Sequence, residues 1–350
     1  MEKHRGQTQS RRGDRQEKDS VSGEHQKGKR PYEQEITPEK QFENFLIDFK
    51  KKTFKIPFFL ESLNDATSDN GPENGGLESG KLMLLQAQAG SGKTSWMVNQ
   101  ILFMIRKEFK VVFFSLDMGY KDILIKFIRL IFKIGESKAK LLLKENPQQV
   151  KKRLIKNNFF SHLKIYTQKN LTGTSDLASL GKIEAVLRRD KPHAVVLDHL
   201  TKVEHSGDNI YKETMTSSKF FQFLKEELNM VFYLLTQIGS DEYDGKFGKN
   251  GFSKVPSQKA PKGAKNIGED ADLQLSFVDN TKSEHCPEEL RFTLKWKAVK
   301  NRILSSYVPV LRFWKYSPIS TQVADNDEDL IISQEEINEE DDSFDNFLDG

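Results

Sequence analysis

The feature that most constrains this chain is the run LMLLQAQAGSGKTSWMVNQILFMI, residues 82–105. It passes from a short apolar stretch, through small residues, into apolar positions at helical spacing. The loop fits the pattern GxxxxGK[ST], except that Ala87 stands at the first glycine position. In such a strand, loop and helix, successive backbone N–H groups and the helix N-terminus converge on one anion. Ala89, Gly90, Ser91, Gly92, Lys93, Thr94 and Ser95 are therefore the candidate nucleotide-cradling residues. Lys93 is expected to reach the β and γ phosphates of ATP, and Thr94 to place its hydroxyl on Mg²⁺. A fortuitous Gly/Ser turn is the competing reading, and the strand before and helix after weigh against it.

From residue 81 onward short apolar runs alternate with helical patterns, which predicts an α/β fold with a mostly parallel sheet flanked by helices. Strands are expected near 82–85, 110–116, 163–166, 194–198 and 231–236, followed by ADLQLSF, LRFTLKWKAV and YVPVLRFW. Helices are expected over 94–106, as a pair within 121–156, and over 175–189 and 214–228. The late strands lack intervening helices, so the sheet is expected to end in antiparallel pairs. Phosphoryl transfer also needs a second Mg²⁺ contact and a group that orients water. Asp198 closes the apolar run HAVVLDHL and is the candidate metal carboxylate; Asp117 closes VVFFSLD and is the candidate for polarising water. An Asp at a strand end is often only a turn former, so the Asp198 assignment leans on Lys93, while Asp117 lies beside the loop if strands 82–85 and 110–116 share a sheet.

The 350 residues carry a net charge of +3, but the charge is unevenly divided. Residues 322–350 hold 12 acidic and no basic side chains, and residues 37–321 hold 45 basic against 32 acidic ones, a body of +13. Such a body attracts polyanions, nucleic acid among them, although a lysine-rich surface would read the same way. Residues 1–36 are poor in large apolar groups and are expected to be a disordered tail. ITPEKQFENFLIDFKKK then reads as a helix, with Thr37 as N-cap, Pro38 at the first position, and Phe42, Phe45, Leu46 and Phe49 on one stripe. NDATSDNGPENGG after it is turn-rich, so 37–80 is expected to be a helix and linker, 81–320 the core, and 321–350 a disordered acidic tail. Cys286 is the single cysteine, which excludes a disulfide framework or a four-cysteine zinc site within the chain. There is no signal-like segment and no run near the roughly 18 apolar residues of a membrane span, so a soluble, cytoplasmic protein without a membrane partner is expected.

Five segments in order resemble the motif series of DnaB-type replicative helicases. VVFFSLDMGYKDILIKFIRL resembles the strand ending on Ser-Leu-Glu-Met, and AVVLDHL resembles the Asp-Tyr-Leu run. VFYLLTQIGS resembles the strand that ends on a glutamine, here Gln237, and GAKNIGEDADLQLSF resembles the segment before a late strand. KWKAVKNR resembles the closing Lys-x-Arg. The resemblance implies a RecA-like ATPase core, a homo-hexameric ring with ATP between subunits, and 5′–3′ translocation on single-stranded DNA. Carried over by position, Lys93, Thr94 and Asp198 bind MgATP, Asp117 takes the place of the catalytic carboxylate, and Gln237 senses the γ phosphate. Lys300 and Arg302 reach a neighbour's ATP, Arg302 as the arginine finger. Asp117 is shorter by one methylene than the family's Glu, which implies slow turnover, and ILSS replaces Gly-Pro-x-Gly after Arg302. About 80 residues precede the first core strand, too few for the family's helical N-terminal domain, so the helix at 38–52 resembles its linker helix.

Between Gln237 and the next strand lies a long Gly- and Pro-containing loop with Lys246, Lys249, Lys254, Lys259, Lys262 and Lys265. Spaced lysines on such a loop suit sequence-independent contacts with DNA phosphates, or simply solvation. The acidic end, with Phe344 and Phe347, suits docking on a primase, polymerase or single-strand-binding protein, folding back over the basic body, or solubility alone. Two other functions stay open at this point: a RecA- or RadA-like recombinase, and a weakly active ATPase that loads or regulates another helicase.

Overall fold

A computed structural model describes residues 37–49, 53–173, 178–203, 210–238, 255–259, 261, 267–280, 292–304 and 310–326. The chain divides into two compact units, residues 1–52 and 53–350. In the first, α1 (Pro38–Phe49) begins as its sequence dictates, with Thr37 Oγ1 accepting the Lys40 N–H at 3.3 Å. Phe42 and Leu46, four residues apart, are exposed on it. The expected tail 1–36 lies outside the described residues.

The second unit opens with β1 (Lys55–Ile56), α2 (Glu61–Asp65) and β2 (Leu77–Glu78). It continues through β3 (Leu82–Ala87), α3 (Lys93–Arg106), β4 (Val111–Ser115), α4 (Tyr120–Phe132), α5 (Glu136–Glu145), α6 (Pro147–Lys156) and α7 (Phe159–His162). Then come β5 (Leu163–Thr167), α8 (Gln168–Thr172), α9 (Leu180–Asp190), β6 (Ala194–Asp198), α10 (Ile210–Leu228) and β7 (Val231–Gln237). The last elements are α11 (Ile267–Asp270), β8 (Leu273–Asp279), β9 (Thr293–Asn301), β10 (Arg312–Tyr316) and β11 (Val323–Ala324).

Nine strands form one sheet in the order β11-β10-β9-β8-β3-β7-β6-β4-β5. Six of them, from β8 to β5, run parallel, and β9, β10 and β11 add antiparallel pairs, as expected. The central strands are apolar without alternation because helices cover both faces. Met83, Leu85 and Ala87 of β3 face a core shared with α3 and α4. Leu82 and Leu84 face the core of α9 and α10. In β9 the period changes to two: Leu294, Trp296 and Ala298 are buried while Lys295 and Lys297 stay half-buried.

The structure corrects several boundaries. The boundary between the two units falls after residue 52, and Ile56, Phe58, Leu60, Leu63 and Leu77, within the stretch expected to be helix and linker, are all buried in the main core. Their irregular backbone is satisfied by side-chain amides: Asn64 exchanges two 2.8 Å hydrogen bonds with the Phe58 main chain. Gln100 of α3 does the same for Phe59 N–H and Pro57 carbonyl, both at 3.0 Å. Residues 323–325, within the stretch expected to be acidic tail, join the sheet: β11 pairs with β10 and Asp325 accepts the Ser62 N–H at 3.0 Å; residues 327–350 lie outside the described residues. The region 121–156 holds three helices rather than two, broken at Gly135 and at Asn146 before Pro147. The helix expected from 175 starts at Leu180 on the N-cap Ser179, and the strand expected over 307–314 is β10, Arg312–Tyr316.

If residues 53–66 are part of the core, Phe58→Ala should cost about 3–5 kcal/mol of unfolding free energy. Urea unfolding followed by far-UV circular dichroism measures this, and a loss below about 1 kcal/mol would make the segment an appendage after all.

Candidate active site

The phosphate-type loop leaves β3 at Ala87 and enters α3 at Lys93. Gly90 and Gly92 take positive φ of 70° and 88°, conformations that side chains resist. Gly92 is also the seat of Tyr316 of β10, whose phenol oxygen would lie 3.5 Å from an added Cβ. No side chain caps the N-terminus of α3, so its first N–H groups face the loop. The Ser91 hydroxyl is buried without a hydrogen-bond partner. A loop with uncapped amides and an unsatisfied buried hydroxyl fits a phosphate chain.

Lys93 is buried and folds back over the loop, its Nζ donating to the Ala87 and Gln88 carbonyls, each at 2.8 Å. Thr94 Oγ1 donates to Asp198 Oδ2 at 2.6 Å. Asp198 ends β6 and is 4% exposed. Burial pushes its carboxyl pKa up, with Asp117 adding to the rise and Thr94, Lys93 and Lys126 opposing it. A hydroxyl and a carboxylate meeting at the loop's mouth are the two hard oxygen ligands that a Mg²⁺ ion takes from protein beside phosphates. Among the described residues no group of three or more His, Cys, Asp or Glu could hold a metal, so any ion here shares its shell with ligand oxygens.

Asp117 follows β4 by two residues, and two strands, β7 and β6, separate β4 from β3. It still reaches the site, because Ser115 pairs with Asp198 and Leu116 N–H donates to the Asp198 carbonyl at 2.7 Å. Its carboxylate lies 3.2 Å from Lys202 Nζ and 3.9 Å from His199 Nε2. Gln237 ends β7 in register with Ala87, and its Nε2 is 3.4 Å from the same His199 nitrogen. His199 Nδ1 is 2.8 Å from Thr201 Oγ1. His199 thus stands between the two groups that motif order assigns to water activation and γ-phosphate sensing.

Sequence reasoning missed three groups here. His199 follows Asp198 at the position of the tyrosine in the Asp-Tyr-Leu run, and that departure was its signal. Lys202 lies one short turn further on. Lys126 of α4 carries a half-buried ammonium 3.4 Å from Ser95 Oγ. Burial and Arg129 lower its pKa, opposed by Asp198, Glu136 and Asp122. Its signal was a cation spaced among the apolar residues of a helix otherwise facing the core.

Lys300 and Arg302 are not brought into this site. They close β9 beside the start of β8, at the end of the sheet opposite the phosphate-type loop: Asn301 pairs with Leu273, and Leu273 pairs with Met83. Lys300 Nζ donates to the Gly268 and Glu269 carbonyls at 2.7 Å, and Arg302 N–H to the Asp272 carbonyl at 2.8 Å. Burial, reinforced by the charge of Arg302, brings the Lys300 pKa down to about 8. Of the six candidate DNA-contacting lysines, Lys259 is described and exposed; Lys246, Lys249, Lys254, Lys262 and Lys265 lie outside the described residues. Among the described residues no helix is long and apolar enough to cross a membrane.

Comparison with known proteins agrees with this geometry. The profile of the DnaB-like helicase C terminal domain matches residues 69–293. Among curated protein sequences no significant match is found. A solved ATPase domain superposes with a TM-score of 0.58 at 17% identity, covering 70% of this chain and 84% of that one. A DnaB-like replicative helicase, solved in a study of its interactions with primase, gives a TM-score of 0.59 at 18% identity over 70% of this chain. The alignment spans 59% of that helicase's length. The mostly parallel nine-stranded sheet with flanking helices is the RecA-like fold shared with these domains. With sheet, loop and facing carboxylate in place over the matched region, the chain belongs to the DnaB-like helicase C-terminal domain family and is an ATP hydrolase of the helicase class.

Proposed function

We propose that the chain is a replicative helicase motor that assembles as a hexameric ring, hydrolyses ATP between subunits and translocates 5′–3′ on single-stranded DNA. The observation that carries this reading is the 2.6 Å contact of Thr94 with Asp198, set at the opposite end of the sheet from Lys300 and Arg302. One end of the sheet carries the phosphate-type loop, and the other carries two cations that, among the described residues, lie away from it.

In this reading the loop amides, Lys93 and the Ser91 hydroxyl hold the phosphates, and Thr94 and Asp198 hold Mg²⁺. A bound Mg²⁺ neutralises charge on the transferring phosphoryl group. Asp117 orients the attacking water, with His199 linking it to Gln237. Lys126 adds a cation beside the first turn of α3. The adjacent subunit's copies of Lys300 and Arg302 complete the charge stabilisation. Lys259, with the other lysines of its loop, contacts DNA phosphates. The ion pair of Asp117 with Lys202 competes with its alignment on water, which favours low basal turnover and keeps a weakly active ATPase as the second reading.

Unwinding of a forked duplex, with ATP turnover followed in the same reaction, tests the motor directly. Lys93→Ala should lose both activities, and turnover without strand separation would favour the loader or recombinase. Arg302→Ala should keep nucleotide binding and lose about 10³-fold or more in turnover. Mixing it with Lys93→Ala should restore part of that turnover, since each protein then supplies what the other lacks. A mixture no more active than its components would place Arg302 outside the neighbour's site.

The lowered pKa of Lys300 gives a pH test with a definite sign. Above about pH 8 its ammonium loses its charge, so kcat/KM for ATP should fall on the alkaline side near that value. Lys300→Arg stays charged and should carry the limb to higher pH. A profile identical in both proteins would remove Lys300 from the reaction.

A further inference from the structure

Beneath residues 255–259 the sheet is polar where its neighbours are apolar. On the face that α9 and α10 cover, β3 reads Leu82, Leu84 and then Gln86. Gln86 is level with Thr236 of β7 and Ser276 of β8, and all three are 0% exposed. Segment 255–261 covers this row. Gln86 Nε2 donates to the Ser257 carbonyl at 2.7 Å and to Ser276 Oγ. Next to it, Gln274 of β8 donates its Nε2 to the Gln258 carbonyl at 2.9 Å. Gly268 leaves room for this contact, since a Cβ there would lie 2.2 Å from Gln274 Oε1 and 2.8 Å from the Gln258 carbonyl oxygen.

Stability does not account for these glutamines. The Oε1 atoms of Gln86 and Gln274 are both buried without a hydrogen-bond partner. A half-satisfied buried amide is worse for the fold than a leucine of similar volume. What each amide supplies is a single donor aimed at the main chain of 255–261.

The other end of the same segment is tied to the same strand. Ile238, which bridges Pro261, donates its N–H to the Ala87 carbonyl at 3.3 Å. That carbonyl also accepts Lys93 Nζ at 2.8 Å. Lys93 has to leave it to contact a phosphate, so the bonds at Ala87 depend on the state of the site. Ile238 therefore hangs on Ala87, and Ser257 on the residue just before it.

We propose that Gln86 and Gln274 are coupling residues, which hold residues 255–259 to the nucleotide-binding strand so that occupancy of the phosphate-type loop repositions this segment and Lys259 with it. Only the last step, from Lys259 to DNA, rests on the function proposed above. Coupling of this kind is reciprocal: a ligand on the loop changes nucleotide affinity by the factor with which nucleotide changes the loop's affinity.

The test is the rate of tryptic cleavage after Lys259 in the full chain, with and without Mg²⁺ and a non-hydrolysable ATP analogue. Gln86→Leu, Gln274→Leu and Gly268→Ala are compared with the wild type, each checked for folding by thermal melting. Nucleotide should change the wild-type rate by about tenfold and the rate in the variants by less than about twofold, while basal ATP turnover of Gln86→Leu and Gln274→Leu stays nearly constant. Gly268→Ala decides if Gln86→Leu fails to fold. Equal nucleotide responses in wild type and folded variants overturn the proposal. So does an unresponsive wild type that still binds a fluorescent ATP analogue. DNA stimulation of turnover, measured alongside, separates the two claims. A coupling lost in the variants of a wild type indifferent to single-stranded DNA supports the coupling and sinks the DNA reading.

Discussion

Parallel pairing of the central strands is the constraint that gathers Lys93, Thr94, Asp117, Asp198 and Gln237 at one end of the sheet. β3 lies between β7 and β8, and β6 between β7 and β4, so their C-terminal ends open on one edge of the sheet. Ala87 is thereby level with Gln237, and Ser115 with Asp198. Along β6, Ala194 and Val196 face the core of α3 while Val195 and Leu197 face that of α9 and α10. Asp198 continues the first series and so meets Thr94. A slip of β6 by one residue would turn the carboxylate to the opposite face. The hydrophobic burial that fixes register thus also fixes the meeting of Asp198 with Thr94.

The parts of the fold that were legible in sequence are those whose signal is continuous along the chain. LMLL, VVFF and AVVL are apolar without alternation because both faces are covered, and strand, loop and helix around Lys93 follow one another without a gap. The segment 53–80 was not legible. Its strands are two residues long, and its backbone is satisfied by Asn64 and Gln100 rather than by a regular ladder. Gly, Asn and Asp there read as a linker, yet Arg312 and Trp314 of β10 bond Ser62 at 2.9 Å from the far end of the sequence. No local pattern announces a contact of that span.

The site shows the same division. Lys93, Thr94 and Asp198 carry their own signals, a glycine-rich loop and an acid at the end of an apolar run. His199 and Lys126 act through neighbours distant in sequence and have no motif of their own. Asp117 was expected near the phosphate-type loop if its strand and β3 shared a sheet; they do, with β7 and β6 between them, and it is the pairing of β4 with β6 that brings the end of β4 level with Asp198. Side-chain amides recur wherever irregular chain meets regular structure: Asn64, Gln86, Asn99, Gln100 and Gln274 all donate to backbone carbonyls. An amide can pair with a main chain that offers no ladder, which lets loops be seated without adding strands.

The three tryptophans of the chain are all buried and lie in one stack. Trp296 and Trp314 are stacked at 4.4 Å between ring centroids, and Trp96 follows at 5.9 Å from Trp314. Two belong to the antiparallel extension, and the third sits in the first turn of α3, three residues after Lys93. The chain's entire indole emission therefore originates at the junction between the nucleotide-binding helix and the late strands. Its intrinsic fluorescence is a native optical gauge of that junction, needing no label and blind to Ser257 and Gln258 on the other face of the sheet.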